Sequence, residues 1–102
     1  MDGARAAPLA VADVANPAEP LVVRSAAARA VARTLPAAEA VRVLRPVLSS
    51  ATPPLQRRTA EALVSVGPAG CTALHAHTAH LGPEARTPFA TALSRCPGTS
   101  PP

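Results

Sequence analysis

Proline decides what this chain can become. Thirteen of its 102 residues are Pro, and together with the glycines they cut it into pieces of helical length. Pro8 precedes a short apolar segment ending at Ala15, and Asn16-Pro17 with Glu19-Pro20 marks a turn. Leu21 to Leu35 follows and is broken by Pro36. Ala37 to Leu48 carries one apolar stripe, Ala37, Val41, Leu44 and Leu48, at the helical period. After a loop from Ser49 to Pro54, Leu55 to Val66 puts Leu55, Thr59, Ala62, Leu63 and Val66 on one side. Gly67-Pro68 reads as a helix-ending glycine followed by a proline that opens the next helix. Ala69 to Leu81 and Pro83 to Cys96 complete six expected helices in three pairs, with no strand signal. Residues 1–7 and 97–102 are expected to be flexible ends.

Few large side chains are available to hold such helices together. Leu, Val and Phe total 21 of 102 residues, with no Ile, Trp or Tyr, while Ala alone supplies 25. Burying each large side chain contributes roughly 1.5–3 kcal/mol, so the whole set is modest beside the cost of ordering the chain. Alanine offsets part of this, because it loses no side-chain entropy and has the best helix propensity. A freestanding domain is therefore expected to be marginal and to depend on closely approaching helices.

Self-comparison supplies the rule for that approach. The strings VRSAAARAV from Val23, LQRRTAEAL from Leu55 and ARTPFATAL from Ala85 superpose without gaps. Their last residues, Val31, Leu63 and Leu93, lie 32 and 30 residues apart. Ala28, Ala60 and Ala90 match, as do Ala30, Ala62 and Ala92. A period near 30 residues indicates stacked repeats, each too thin to bury its own apolar stripe. Pro88 interrupts the third copy, so its helix is expected to start at Thr87, with Thr87 as N-cap and Pro88 at the first helical position.

This pattern resembles the HEAT-repeat family, particularly the short bacterial HEAT repeats, over about residues 8 to 96. The segment from Leu48 to Leu74, LSSATPPLQRRTAEALVSVGPAGCTAL, follows it closely, and so does VANPAEPLVVRSAAARAV from Val14. The chain departs from the family at the loop acid, which is Asn16 in one copy and Thr52 in the next, and at Gln56, where Arg24 and Arg86 keep the family's arginine. The resemblance implies an all-α fold, a short α-solenoid of about three antiparallel helical hairpins with repeats near 8–35, 36–67 and 68–96. It also implies an arginine ladder between repeats, and second helices that line a concave face where partners dock.

The candidate site follows from that face. Every basic residue is Arg, the net charge is +4, and Arg24, Arg29, Arg33, Arg57, Arg58 and Arg86 fall on the second helices, as does Arg95. They would form a positive groove for an acidic protein segment, unless they are ordinary solvated residues, with Arg29 and Arg33 repelling and Glu61 pairing Arg57 or Arg58. We expect a non-catalytic protein-binding scaffold or adaptor, with self-association as a further outcome because neither end looks capped. The alternative is a nucleic-acid-binding module like the HEAT-like DNA glycosylases, weakened by the single aromatic residue, Phe89. A relationship to HEAT-like bilin lyases has no specific residue in its favour.

Other chemistry finds little footing. Cys71, His75, His77 and His80 form the one metal-like grouping, but Cys71/His75 and His77/His80 point in different directions on one helix, and zinc wants four converging ligands. Solvated or half-buried histidines are the simpler expectation, and no cofactor is expected. No Cys–His–Asp set emerges for catalysis, and no glycine-rich phosphate loop is present, so the chain is not expected to be an enzyme. Two cysteines 25 residues apart imply no disulfide framework. One bridge can be drawn, but free thiols in a reducing cytoplasm are the simpler expectation. No membrane span and no secretory leader is expected.

Overall fold

The computed structural model describes residues 3–50 and 52–96, and side chains from residue 8 onward. The expected disorder of residues 97–102 lies outside them. The described residues form helices and connecting turns, with no strand among them. Five longer helices come first: α1 (Gly3–Ala15), α2 (Leu21–Thr34), α3 (Ala37–Ser50), α4 (Pro53–Val66) and α5 (Pro68–Thr78). The last segment is α6 (Pro83–Arg86), a 3₁₀ turn (Thr87–Phe89) and α7 (Ala90–Ser94). Thus α1 begins five residues earlier than Pro8, and carries that proline inside it.

Proline and glycine set most of the boundaries. Pro53, Pro68 and Pro83 each open a helix, where a missing N–H costs nothing. Gly67 joins α4 to α5 at φ 116° and ψ −154°, a region essentially reserved for glycine. That turn folds α5 back so closely that a Cβ on Gly70 would fall onto the backbone carbonyl of Leu63.

Pro88 acts differently from the sequence expectation. Thr87 does not cap a new helix: its backbone is helical (φ −54°, ψ −46°) and its hydroxyl donates back to Pro83 O at 3.3 Å. Pro88 has no N–H for the carbonyl of Glu84, so that carbonyl accepts from the Thr87 N–H instead. The chain tightens into a 3₁₀ turn, which buries Pro88 and Phe89.

Helix contacts run along the chain and also skip one helix. α1 packs on α2, α3 on α4 and α4 on α5, while α2 also meets α4 and α3 meets α5. The Thr87–Phe89 turn and α7 close on α4. α4 is therefore the centre, burying Leu55, Thr59, Ala60, Ala62 and Leu63. Around it Val14, Val31, Leu44, Leu48, Leu74 and Phe89 are almost fully buried. Ala28, Ala40 and Ala60 have no exposed surface, so single methyl groups occupy the closest approaches.

Hydrogen bonds reaching beyond a helix's own turns are few and informative. The Arg24 guanidinium donates twice to Val14 O, at 3.1 and 2.8 Å, and Gln56 Nε2 donates to Leu48 O at 2.8 Å. Both residues hold the second place of their repeat string, and both satisfy a carbonyl in the last turn of the preceding helix, which has no intrahelical partner of its own. This arginine therefore clamps the two helices of one pair and forms no rung between pairs, unlike the expected ladder. Gln56 makes the equivalent clamp without charge.

The cysteines are not free thiols. Cys71 in α5 and Cys96, just beyond α7, form a disulfide with Cα atoms 5.7 Å apart. Both are buried at 6% exposure. The return of the last segment across α4 brings them together, a tertiary event that their spacing in the sequence does not encode.

Candidate partner-binding surface

Of the six arginines expected on the binding face, two are assembled into one place. Arg29 from α2 and Arg58 from α4 line a cleft of about 110 Å³ with Glu61, Ala62 and Ser65. The same two arginines border a shallower groove of about 330 Å³ with Leu21, Val22, Ser25 and Ala26. The contact of α2 with α4 sets this geometry, because Ser25, Ala28 and Ala62 are small enough to let the helices close while the longer side chains splay outward. Arg58 pairs with Glu61 at 3.6 Å, one helical turn on, in a surface ion pair worth no more than about 1 kcal/mol.

The remaining four differ in position. Arg24 is half-buried and engaged with Val14 O, so its charge serves the fold. Arg33, Arg57 and Arg86 are exposed and make no ion pair among the described residues. They add to the positive field without lining the Arg29–Arg58 cleft.

The histidines do not divide into the two pairs that their spacing suggests. His75 and His80 are exposed, while His77 is half-buried, its ring edge-on to Phe89 with centroids 5.4 Å apart and planes at 77°. Burial pulls the His77 pKa below its ordinary value, and the Arg45 guanidinium adds to the shift. Cys71 is consumed by the disulfide, and no group of three metal-ligating side chains occurs among the described residues.

Sequence reasoning misses two surfaces. One is a basic depression on α3 and α5 formed by Arg42, Arg45, Ser49 and His77. The three-residue spacing of Arg42 and Arg45 is the signal that points to it. The other is an apolar groove between α1 and α2, lined by Leu9, Ala10, Val22, Ala26 and Ala30 with Asp13 beside them. No spacing reveals it, since it arises from the packing of α1 on α2, which leaves Leu9 and Val22 exposed.

No helix among the described residues is long and apolar enough to cross a membrane. Comparison with protein-family models, with curated proteins and with solved structures finds no match. The functional reading therefore rests on the geometry.

Proposed function

We propose that this chain is a short HEAT-like α-solenoid of three helical hairpins, acting as a non-catalytic scaffold that binds an acidic segment of a protein partner. The observation carrying the site is the convergence of Arg29 and Arg58 across α2 and α4, beside exposed Leu21 and Val22. Two cations next to apolar surface suit a segment that alternates Asp or Glu with large apolar residues. Electrostatics would steer it and apolar contact would hold it. The skip-one contacts, α2 with α4 and α3 with α5, support the stacked-hairpin reading. The Cys71–Cys96 bond favours an oxidising compartment over the cytoplasm expected from composition, because such bonds rarely persist in reducing cytosol.

The test is fluorescence anisotropy with a labelled peptide that alternates Glu and Leu, run against labelled duplex DNA. Peptide binding should be lost in Arg29→Glu and Arg58→Glu and retained in Arg95→Glu. Unchanged peptide affinity in both reversals rejects the site. Tight DNA binding that falls steeply with salt would instead select the nucleic-acid alternative, because counterion release scales with the phosphates contacted.

A further inference from the structure

Three large apolar side chains stand exposed among the described residues, and all belong to one end of the molecule. Leu9 is 66% exposed, Val22 73% and Leu21 45%. Scattered surface leucines need no explanation, but a contiguous apolar patch does. Leu9 and Val22 form the two walls of a groove of about 420 Å³ between α1 and α2, floored by Ala10, Ala27 and Ala30. At the other end Phe89 is buried, and the disulfide ties the last segment to α5. The two ends are thus unlike: one is open and apolar, the other is closed.

We infer that this groove is a dimer interface between two copies of the chain, joined open end to open end about a two-fold axis. Head-to-tail joining would set the apolar groove against the closed end, which presents no large exposed apolar side chain among the described residues. A two-fold joint instead places apolar surface on apolar surface, the same patch meeting itself. With the axis parallel to the helices, α1 of one copy lies antiparallel on α2 of the other. Leu9 then seats over the small steps at the partner's Ala26 and the partner's Ala30, with Val22 at the border of the same joint.

Charge favours the same occupant. Among the described residues Asp13 is the one acid lining the groove, and it makes no ion pair with any of them. Arg29 flanks α2 on the side away from α1. The two-fold turns the α1 wall of each copy towards the α2 wall of the other, so Asp13 approaches the partner's Arg29, and it does so twice. This offsets part of the repulsion between two chains of net charge +4. Two chains that each carry net charge +4 and meet through one groove make a dimer of the transient class.

Analytical ultracentrifugation of the oxidised full chain tests this, from about 5 to about 500 µM, a span that covers transient affinities. The weight-average mass should climb from 10.2 kDa towards twice that value. Leu9→Asp and Val22→Asp change exposed side chains and should leave the circular dichroism unchanged, yet each should weaken dimerisation at least tenfold. Asp13→Arg should weaken it, and adding Arg29→Asp should restore it. A monomer at the highest concentration overturns the inference and leaves a further helical segment or a foreign helix as the groove's occupant. A dimer indifferent to both Leu9→Asp and Val22→Asp overturns it too, as does an open-ended series of higher species. Val22 and Arg29 border both surfaces, so sedimentation is run without peptide and peptide anisotropy at concentrations where the chain is monomeric, and failure of the scaffold reading and failure of the dimer are told apart.

Discussion

Reducing the Cys71–Cys96 bond should cost this protein a large share of its stability. The bond closes a loop with a sequence separation of 25. In the chain-entropy description a closed loop of that length loses roughly 12 cal/mol/K in the unfolded state, or about 3.5 kcal/mol at room temperature. Domains of this size are stable by about 5–15 kcal/mol in all. The loop spans α5, α6 and α7, and its other anchor is Phe89, which is 1% exposed and set in the turn that packs on α4. Reduction leaves both sulfur atoms in place, so packing changes little and the measured difference isolates the cross-link. The assay is urea denaturation followed by circular dichroism, with and without reductant, accompanied by thiol counting on the unfolded chain. We expect no reactive thiol before reduction, two after it, and a loss of about 3–4 kcal/mol, equivalent to a fall in melting temperature on the order of 15–25 °C. The double variant Cys71→Ala/Cys96→Ala should fall at least as far, because it also removes buried sulfur. A difference under about 1 kcal/mol between the oxidised and reduced chain would refute the reasoning, as the loop term would then be absent.

Four further outcomes follow from individual contacts. Thr59 is fully buried and its hydroxyl has no hydrogen-bond partner among the described residues, so Thr59→Val should stabilise by about 1 kcal/mol. Thr78→Val should not, since that hydroxyl bonds Leu74 O at 3.0 Å; the two variants compared by thermal melting would expose an error if they behave alike. Gly70→Ala should destabilise by about 2 kcal/mol or more despite alanine's better helix propensity, because the new methyl meets the Leu63 carbonyl and not a side chain that can move; a higher melting temperature would contradict this. Arg24→Gln should keep the clamp on Val14 O, as Gln56 does for Leu48 O, while Arg24→Ala should lose about 1–2 kcal/mol; equal losses in urea titrations would refute the clamp. For His77, the folded pKa is lowered relative to the unfolded chain, so folding favours the neutral ring. Its contribution is complete above about pH 6.5, and is lost as pH falls from there through the folded value. NMR titration should place His77 below the ordinary imidazole value, and Arg45→Ala should raise it; no upward movement would exclude the Arg45 field.

The places where the sequence is and is not legible have a common cause. Helix boundaries are legible at Gly67–Pro68 and Pro83, because those residues act on their own backbone within one or two positions, whereas α3 runs on to Ser50 and α4 opens at Pro53, inside the segment expected to be a loop. The repeat register is legible in the alanines, and Ala28 and Ala60 are fully buried. Ala90, the third equivalent, is exposed, although Ala92 is buried like its equivalent Ala62, so the third copy keeps the register only in part. Pro88 itself reads as a helix start, since the alternative of a 3₁₀ turn buried against α4 depends on a contact far along the chain. The disulfide escapes sequence reading for the same reason. Among the candidate site residues, composition places six arginines on second helices, but only packing distinguishes Arg24, spent on a carbonyl, from Arg29 and Arg58, turned outward together.

That distinction separates the sequence constraints of the fold from those of the surface. The second position of each repeat string needs a donor that can reach back to the preceding helix, and Arg24 and Gln56 show that charge is not required there. The positions of Arg29 and Arg58 carry no comparable requirement, since among the described residues neither side chain holds a backbone carbonyl and Arg58 pairs only with Glu61. Arg29 and Arg58 meet across α2 and α4 next to exposed Leu21 and Val22. The proposed site rests on that arrangement, so reversing either arginine should leave the fold intact and alter only what the surface binds.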